Sequence, residues 1–528
     1  MSQAWNRFVT TTTRDLEKLE TEFHRAYWDS QVKATPENDR RRADLELQLR
    51  RLKGDPQKLA EVEEALQQEL HDPKLQRQLE VLRLSFTGNQ MQDSHRSMLV
   101  ELSTEVESEY ASYRPRVDGR AVSENEIEEI LKTSSDAELR RRTWMASKEI
   151  GVKVAGKVRE LARVRNEVAR DLGHADYYRF ALGLQEIDED WLFSTLDRLE
   201  ELTREPFLAW KAELDAHLRR RFNTDAIFPW HYADPFFQSV PPDGRISLDR
   251  YLDSLSAEDL AVRTFASWGI DLGQITDQSD LFPRENKSQH AFCLDVDRAG
   301  DVRILANVVP GERWVEVMLH ESGHAAYDVS INPYLPYLLR RAAHTFVTEA
   351  IAILSGRLVR NPEWLKEVAR IDSSTVDELR PDLAVGRVAQ SLVFTRWGLV
   401  VVHFERALYD DPEADLDPLW WDLVERFQFV SPPPGRSAPD WAAKIHVAAA
   451  PVYYHNYLLG EMLASQIVST CEEECGGFVA NPDAGRLMVE RIFAQGASLR
   501  WDELINNATG RPLGAEDFAA GLVTSSVG

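Results

Sequence analysis

From residue 14 to about residue 110 the chain repeats apolar positions at steps of three and four. Leu45, Leu49 and Leu52, then Leu59, Val62, Leu66 and Leu70, are set among Glu, Arg, Lys and Gln. Such steps keep apolar side chains on one face of an α-helix. Gly54-Asp55-Pro56 and His71-Asp72-Pro73 interrupt the pattern, because the residue before a proline is pushed out of the helical region. The pattern predicts two or three antiparallel helices here. Helix continues over 122–222, where Ser123 with Glu126 has the spacing of a capping box and Asp188 is a candidate N-cap. A loop is predicted over 223–248, where Pro229, Pro235, Pro241, Pro242 and Gly244 crowd together.

The pattern changes between 290 and 309. The apolar runs 291–296 and 302–309 flank Asp297-Arg298-Ala299-Gly300-Asp301, which predicts a β-hairpin. Pro310-Gly311 ends it, and Trp314 to about Asp328 reads as helix. The rest is mostly helix, broken by Ser431-Pro432-Pro433-Pro434-Gly435. Neither repeats nor low-complexity tracts are found. The class is mainly α with one small antiparallel sheet.

Composition narrows the functions. The chain of 528 residues is 43% hydrophobic and 28% charged, which is ordinary globular usage. A net charge of −25 repels phosphate backbones, so nucleic acid is not an expected partner. Three cysteines make no disulfide framework and fit a reducing, cytoplasmic setting. The N-terminal residues lack an apolar core of signal-peptide length, and the longest apolar runs are short, such as Leu399-Val400-Val401-Val402, so no membrane span is expected.

The chemistry concentrates in His320-Glu321-Ser322-Gly323-His324, an H-E-x-x-H pattern inside a predicted helix. Two histidines four apart sit one turn above each other and can meet one Zn²⁺. Glu321 stands about 100° around the helix from His320, beside the metal, where its carboxylate can take a proton from a zinc-bound water. A third protein ligand is required. The longer pattern H-E-x-x-H-x-x-G-x-x-H fails, because Tyr327 and Ser330 stand where Gly and His are needed. Asp328, His344 and Glu349 are the candidates downstream. Asp328 is too far along the same helix. Glu349 is the lone carboxylate of an apolar helix over 345–356, reached by a turn at Asn332-Pro333-Tyr334-Leu335-Pro336, and a buried carboxylate needs a partner.

These residues resemble the zinc peptidases of the angiotensin-converting-enzyme and thimet-oligopeptidase clan. Glu349-Ala350-Ile351 is similar to the converting-enzyme side. Lys444-Ile445-His446 followed by Pro451-Val452-Tyr453-Tyr454-His455-Asn456-Tyr457 resembles the clan's substrate-binding and transition-state segment. Gln289-His290-Ala291-Phe292 resembles the edge strand that pairs with the substrate backbone. The motifs cover roughly residues 285–470.

The resemblance implies a large helical ellipsoid with a deep central cleft, zinc-binding helices on its floor, and a single catalytic unit over 1–528. Residues 1–110 would be a helical lid, and 111–528 the cleft walls and zinc core. It implies one Zn²⁺ per chain held by His320, His324 and Glu349, with Glu321 as general base and then acid. His446 and Tyr457 would hydrogen-bond the oxyanion, Tyr454 being the rival to Tyr457. Substrate contacts would come from His290, Ala291, Lys444, Tyr453 and Tyr454, with Lys444 clamping a terminal carboxylate. Short peptides are then the substrates, and dipeptide release from the C-terminus the expected reaction. The alternatives are an endo-acting oligopeptidase or carboxypeptidase, or an inactive peptide-binding protein. One departure stands out. The converting-enzyme pattern has an aspartate four residues after the third ligand, supporting a zinc histidine, and here that position is Ile353.

Overall fold

The computed structural model describes residues 2–241 and 247–523. Pro242 and Gly244 of the expected loop lie outside the described residues. Among these there are 22 α-helices and two two-stranded antiparallel sheets, so the fold is mainly α. The chain forms two compact units. The first joins Met1–Gln90, Ile246–Leu383 and Leu459–Phe518; the second joins Met91–Arg245, Ala384–Leu458 and Ala519–Gly528.

The N-terminal stretch is five helices rather than two or three: Ser2–Val32, Pro36–Lys53, Pro56–Leu66, Pro73–Thr87 and Asp93–Ser112. Both expected proline breaks occur, with Asp55 and Asp72 capping the helices that follow. The further breaks come at Thr35-Pro36, where Thr35 accepts from Asn38 N–H, and at Gly88.

In the first unit the opening helix lies against the hairpin. Phe292 meets the rings of Tyr27 and Trp28 at centroid distances of 5.6 and 6.2 Å. Glu20, 6% exposed, receives Tyr337 Oη at 2.9 Å, Arg298 at 3.0 Å and Lys53 at 2.7 Å. Burial alone would raise its pKa, but these partners hold it at about 2. The hairpin strands are Phe292–Asp295 and Val302–Leu305, shorter than the apolar runs suggested, with Phe292 opposite Leu305 and Asp295 opposite Val302. The runs extend beyond the ladder because Val296, Ala306 and Val308 bond to loop carbonyls instead.

The motif helix spans Glu312–Val329, and a second helix, Thr345–Arg357, crosses it. One glycine permits the crossing. A Cβ on Gly323 would stand 2.8 Å from Ala352 Cα. Glu349 therefore reaches the motif histidines because Gly323 lets two backbones touch.

In the second unit the helices Ala137–Asp171 and Glu189–Phe222 are the long elements. The expected capping box at Ser123 and Glu126 and the expected cap at Asp188 are both present. The proline-rich loop is pinned from below. Buried Arg140 donates to the carbonyls of Trp230, His231 and Tyr232, and Asp234 accepts the N–H groups of Phe236, Gln238 and Ser239. A small additional ladder pairs Arg116–Val117 with Arg120–Ala121.

The helix Ser373–Asp410 is long and apolar enough to cross a membrane by length and composition, a feature the short apolar runs had not suggested. Within the protein, 67% of its most apolar stretch is buried, as for a core helix.

Candidate metal centre

His320 and His324 sit one turn apart on the motif helix, with ring centroids 5.1 Å apart and planes at 82°. Glu349 presents one oxygen to each. Oε1 is 3.7 Å from His320 Nε2, and Oε2 is 3.7 Å from His324 Nε2. One donor atom from each residue falls within a 4.8 Å cluster, the only such group of three among the described residues. Tetrahedral Zn²⁺ separates its N and O donors by about 3.3–3.6 Å, so the donor set and spacing fit that ion.

The surroundings fit it as well. Burial lowers the His320 pKa to about 4, and burial with His320 lowers His324 to about 3, so both rings are neutral, the ligating form. Burial raises Glu349 to about 7. Among the described residues it has no Lys or Arg partner, and a dication here would supply the missing charge. His324 Nδ1 lies 2.8 Å from Thr348 Oγ1. Ligation through Nε2 places the proton on Nδ1, where Thr348 accepts it. The support that Ile353 cannot give His324 therefore comes from the residue before Glu349. His344, the other candidate ligand, instead caps the second helix by accepting Phe346 N–H at 3.1 Å.

Glu321 is 8% exposed. Burial, then the charge of Glu349, raises its pKa to about 8, and a hydrogen bond from Cys293 N–H opposes the rise. Cys293 lies in the first hairpin strand, so Glu321 reaches the strand proposed to carry substrate. His290 and Ala291 precede that strand outside the ladder, with His290 exposed.

The remaining sequence-predicted residues belong to the second unit. His446 lies in a short helix, Ile445–Ala449; its Nδ1 is buried with no hydrogen-bond partner among the described residues, and burial lowers its pKa to about 4. Tyr454 is 5% exposed, and its hydroxyl accepts Trp397 Nε1–H at 2.5 Å. Tyr453 and Tyr457 are half-buried, their rings 5.4 Å apart. Lys444 Nζ donates to Gln238 Oε1 at 2.8 Å. Burial, partly offset by Asp234 and Glu124, brings its pKa to about 8. Among the described residues no carboxylate pairs with it. Sequence reasoning missed the partnerships of Thr348 and Gln238. Thr348 carries no signal in the sequence beyond adjacency to Glu349, and Gln238 none beyond its place in the loop expected over 223–248.

Comparison with known proteins bears on both parts of the chain. Residues 1–226 match the angiotensin-converting-enzyme family, and residues 278–524 match peptidase family M3. An angiotensin-converting enzyme of Theromyzon tessulatum is 26% identical over 42% of this chain and 38% of its own length. One of Sus scrofa is 23% identical over 42% of this chain and 18% of its own. One of Mesocricetus auratus is 21% identical over 92% of this chain and 40% of its own. The chain thus spans less than half the length of each of these relatives. Together these matches support a zinc peptidase of the group that includes angiotensin-converting enzyme and thimet oligopeptidase.

Proposed function

We propose that the chain is a zinc-dependent metallopeptidase that hydrolyses short peptides and releases dipeptides from a free C-terminus. The observation that carries the reading is the cluster of His320, His324 and Glu349 with Glu321 on the same helix. Those three residues would hold the ion. Bound zinc supplies Lewis acidity, polarising the scissile carbonyl and easing deprotonation of water. Glu321 takes the proton of the attacking water and passes it to the departing amine. The N–H of Cys293 orients its carboxylate toward the strand beside which the substrate backbone would lie, with His290 and Ala291 as contacts.

His446 and Tyr457 are assigned as donors to the oxyanion. Tyr454 is 5% exposed whereas Tyr457 is only half-buried, which favours Tyr457 for that role and leaves Tyr454 and Tyr453 as substrate contacts. Such donors are worth about 2.7–4 kcal/mol each. Lys444 is assigned to the substrate's terminal carboxylate. Its hydrogen-bond partner is the neutral Gln238, so a substrate's terminal carboxylate would be its ion-pair partner.

Residues 1–110 are proposed as the lid. Support comes from Tyr27 and Trp28 lying against Phe292 at the start of the substrate strand. A cytoplasmic setting is supported by Cys293, Cys471 and Cys475 all being free thiols. The match of 278–524 to family M3 favours a second reading, internal cleavage of oligopeptides. Glu321→Gln tests the mechanism. Retained zinc with a kcat lower by orders of magnitude is expected, and unchanged turnover would refute the role of Glu321.

A further inference from the structure

Val452 has φ +53°, the only β-branched residue with positive φ among the described residues. A β-branched side chain clashes with its own backbone there, so the conformation persists only where the surroundings impose it. Val452 is 1% exposed and immediately precedes Tyr453, Tyr454 and Tyr457.

Both faces of its backbone are gripped from distant helices. Its N–H donates to Oε1 of Glu405, a residue 2% exposed on the Ser373–Asp410 helix. Its carbonyl accepts from Gln185 Nε2 at 3.1 Å, at the end of the Tyr177–Leu184 helix. The same Gln185 amide holds the next turn. Its Oε1 is 3.1 Å from His455 Nε2 and accepts from Asn456 Nδ2 at 3.2 Å. Asn456 in turn donates from its backbone and side chain to Tyr453 O. Every hydrogen-bonding atom of the Gln185 side chain is thus spent on carbonyls or side chains that fix this bend or its own helix end.

We propose that Gln185 and Glu405 are positioning residues that hold Val452 in its strained conformation and thereby aim Tyr457 at the reacting carbonyl. The inference rests on the assignment of Tyr457 as an oxyanion donor. Without the two grips Val452 relaxes to negative φ, and the bend turns the first residues of the His455–Cys475 helix away from their register. Misplacement of a donor by about 1 Å is enough to lower turnover on the order of 10²-fold. Neither residue is expected to touch substrate, so ground-state binding should be spared.

The test is a set of variants assayed as zinc-loaded, full-length protein, with zinc content and thermal midpoint measured alongside. Gln185→Met and Glu405→Leu should each lower kcat about 10–100-fold while KM stays within about threefold. Glu405→Gln keeps an oxygen that accepts Val452 N–H and should remain within about threefold of the parent in kcat. Gln185→Met added to Tyr457→Phe should lower kcat by no more than about twofold beyond Tyr457→Phe alone, as for residues acting through one group. Three results would overturn the proposal: a silent Gln185→Met beside a severe Tyr457→Phe, fully multiplicative losses in the pair, or losses of kcat that merely track lost zinc. A silent Tyr457→Phe would remove the oxyanion assignment itself and the positioning role with it.

Discussion

Thr348 Oγ1 lies 2.8 Å from His324 Nδ1, so one helix provides both the third candidate ligand, Glu349, and the group that orients the second. Removing the acceptor leaves Nδ1–H unsatisfied and the ring free to turn. Thr348→Val should weaken zinc binding about 10–100-fold, and Thr348→Ser should preserve it. Competition with a chromogenic chelator measures both. Equal affinities for parent and valine variant would remove Thr348 from the metal site.

Gly323 is the contact point of the two helices. An alanine there puts its Cβ 2.8 Å from Ala352 Cα, which is backbone and cannot swing aside. Gly323→Ala should therefore destabilise the protein by about 1–3 kcal/mol and separate Glu349 from the histidines. Thermal melts with and without added zinc check this. The variant should lose most of the zinc-induced rise in melting temperature. A full rise would show that the helices can part without disturbing the site.

Lys444 makes a prediction in pH. Its pKa is lowered to about 8, so the ammonium is present below that value and lost above it. The preference for a free C-terminal carboxylate over an amide should hold at pH 6–7 and fade as pH rises through about 8. Lys444→Ala should raise KM for free-carboxylate peptides and leave amidated ones nearly unchanged. Equal effects on both peptides would sink the clamp.

Glu20 predicts an acid limit. Its folded pKa of about 2 lies below its usual 4.5, so the stabilisation is complete above about pH 4.5 and is lost as pH falls toward 2. Its size is on the order of 3 kcal/mol. Glu20→Gln should be less stable at neutral pH and show a shallower acid transition in circular dichroism. An unchanged acid limb would assign the loss to other carboxylates.

The H-E-x-x-H face and the lone carboxylate of an apolar helix were legible in the sequence because each is a property of one helix. Spacing alone puts His320 above His324, and composition alone marks Glu349. The supporting contacts depend on how helices cross. Thr348 meets His324 only because Gly323 admits the second helix, and Gln238 meets Lys444 across 206 residues of chain. The strain at Val452 was hidden for the same reason. Nothing local predicts positive φ for valine, and its grips come from Gln185 and Glu405. The count of N-terminal helices was low because Thr35-Pro36 and Gly88 break helices without breaking the apolar periodicity. The paired strands are shorter than the apolar runs because burial of Val296 and Ala306 looks the same in sequence as pairing.

The most direct measurement of the account is mass spectrometry of a peptide of about ten residues with a free C-terminus, incubated with the purified protein as isolated, after chelation, and after Zn²⁺ is restored. Stepwise loss of C-terminal dipeptides, abolished by the chelator and recovered with Zn²⁺, is the predicted result. Internal cuts with the same metal dependence would keep the zinc chemistry and replace dipeptide release by oligopeptidase action. An intact peptide in the presence of stoichiometrically bound zinc would contradict the assignment of a peptidase.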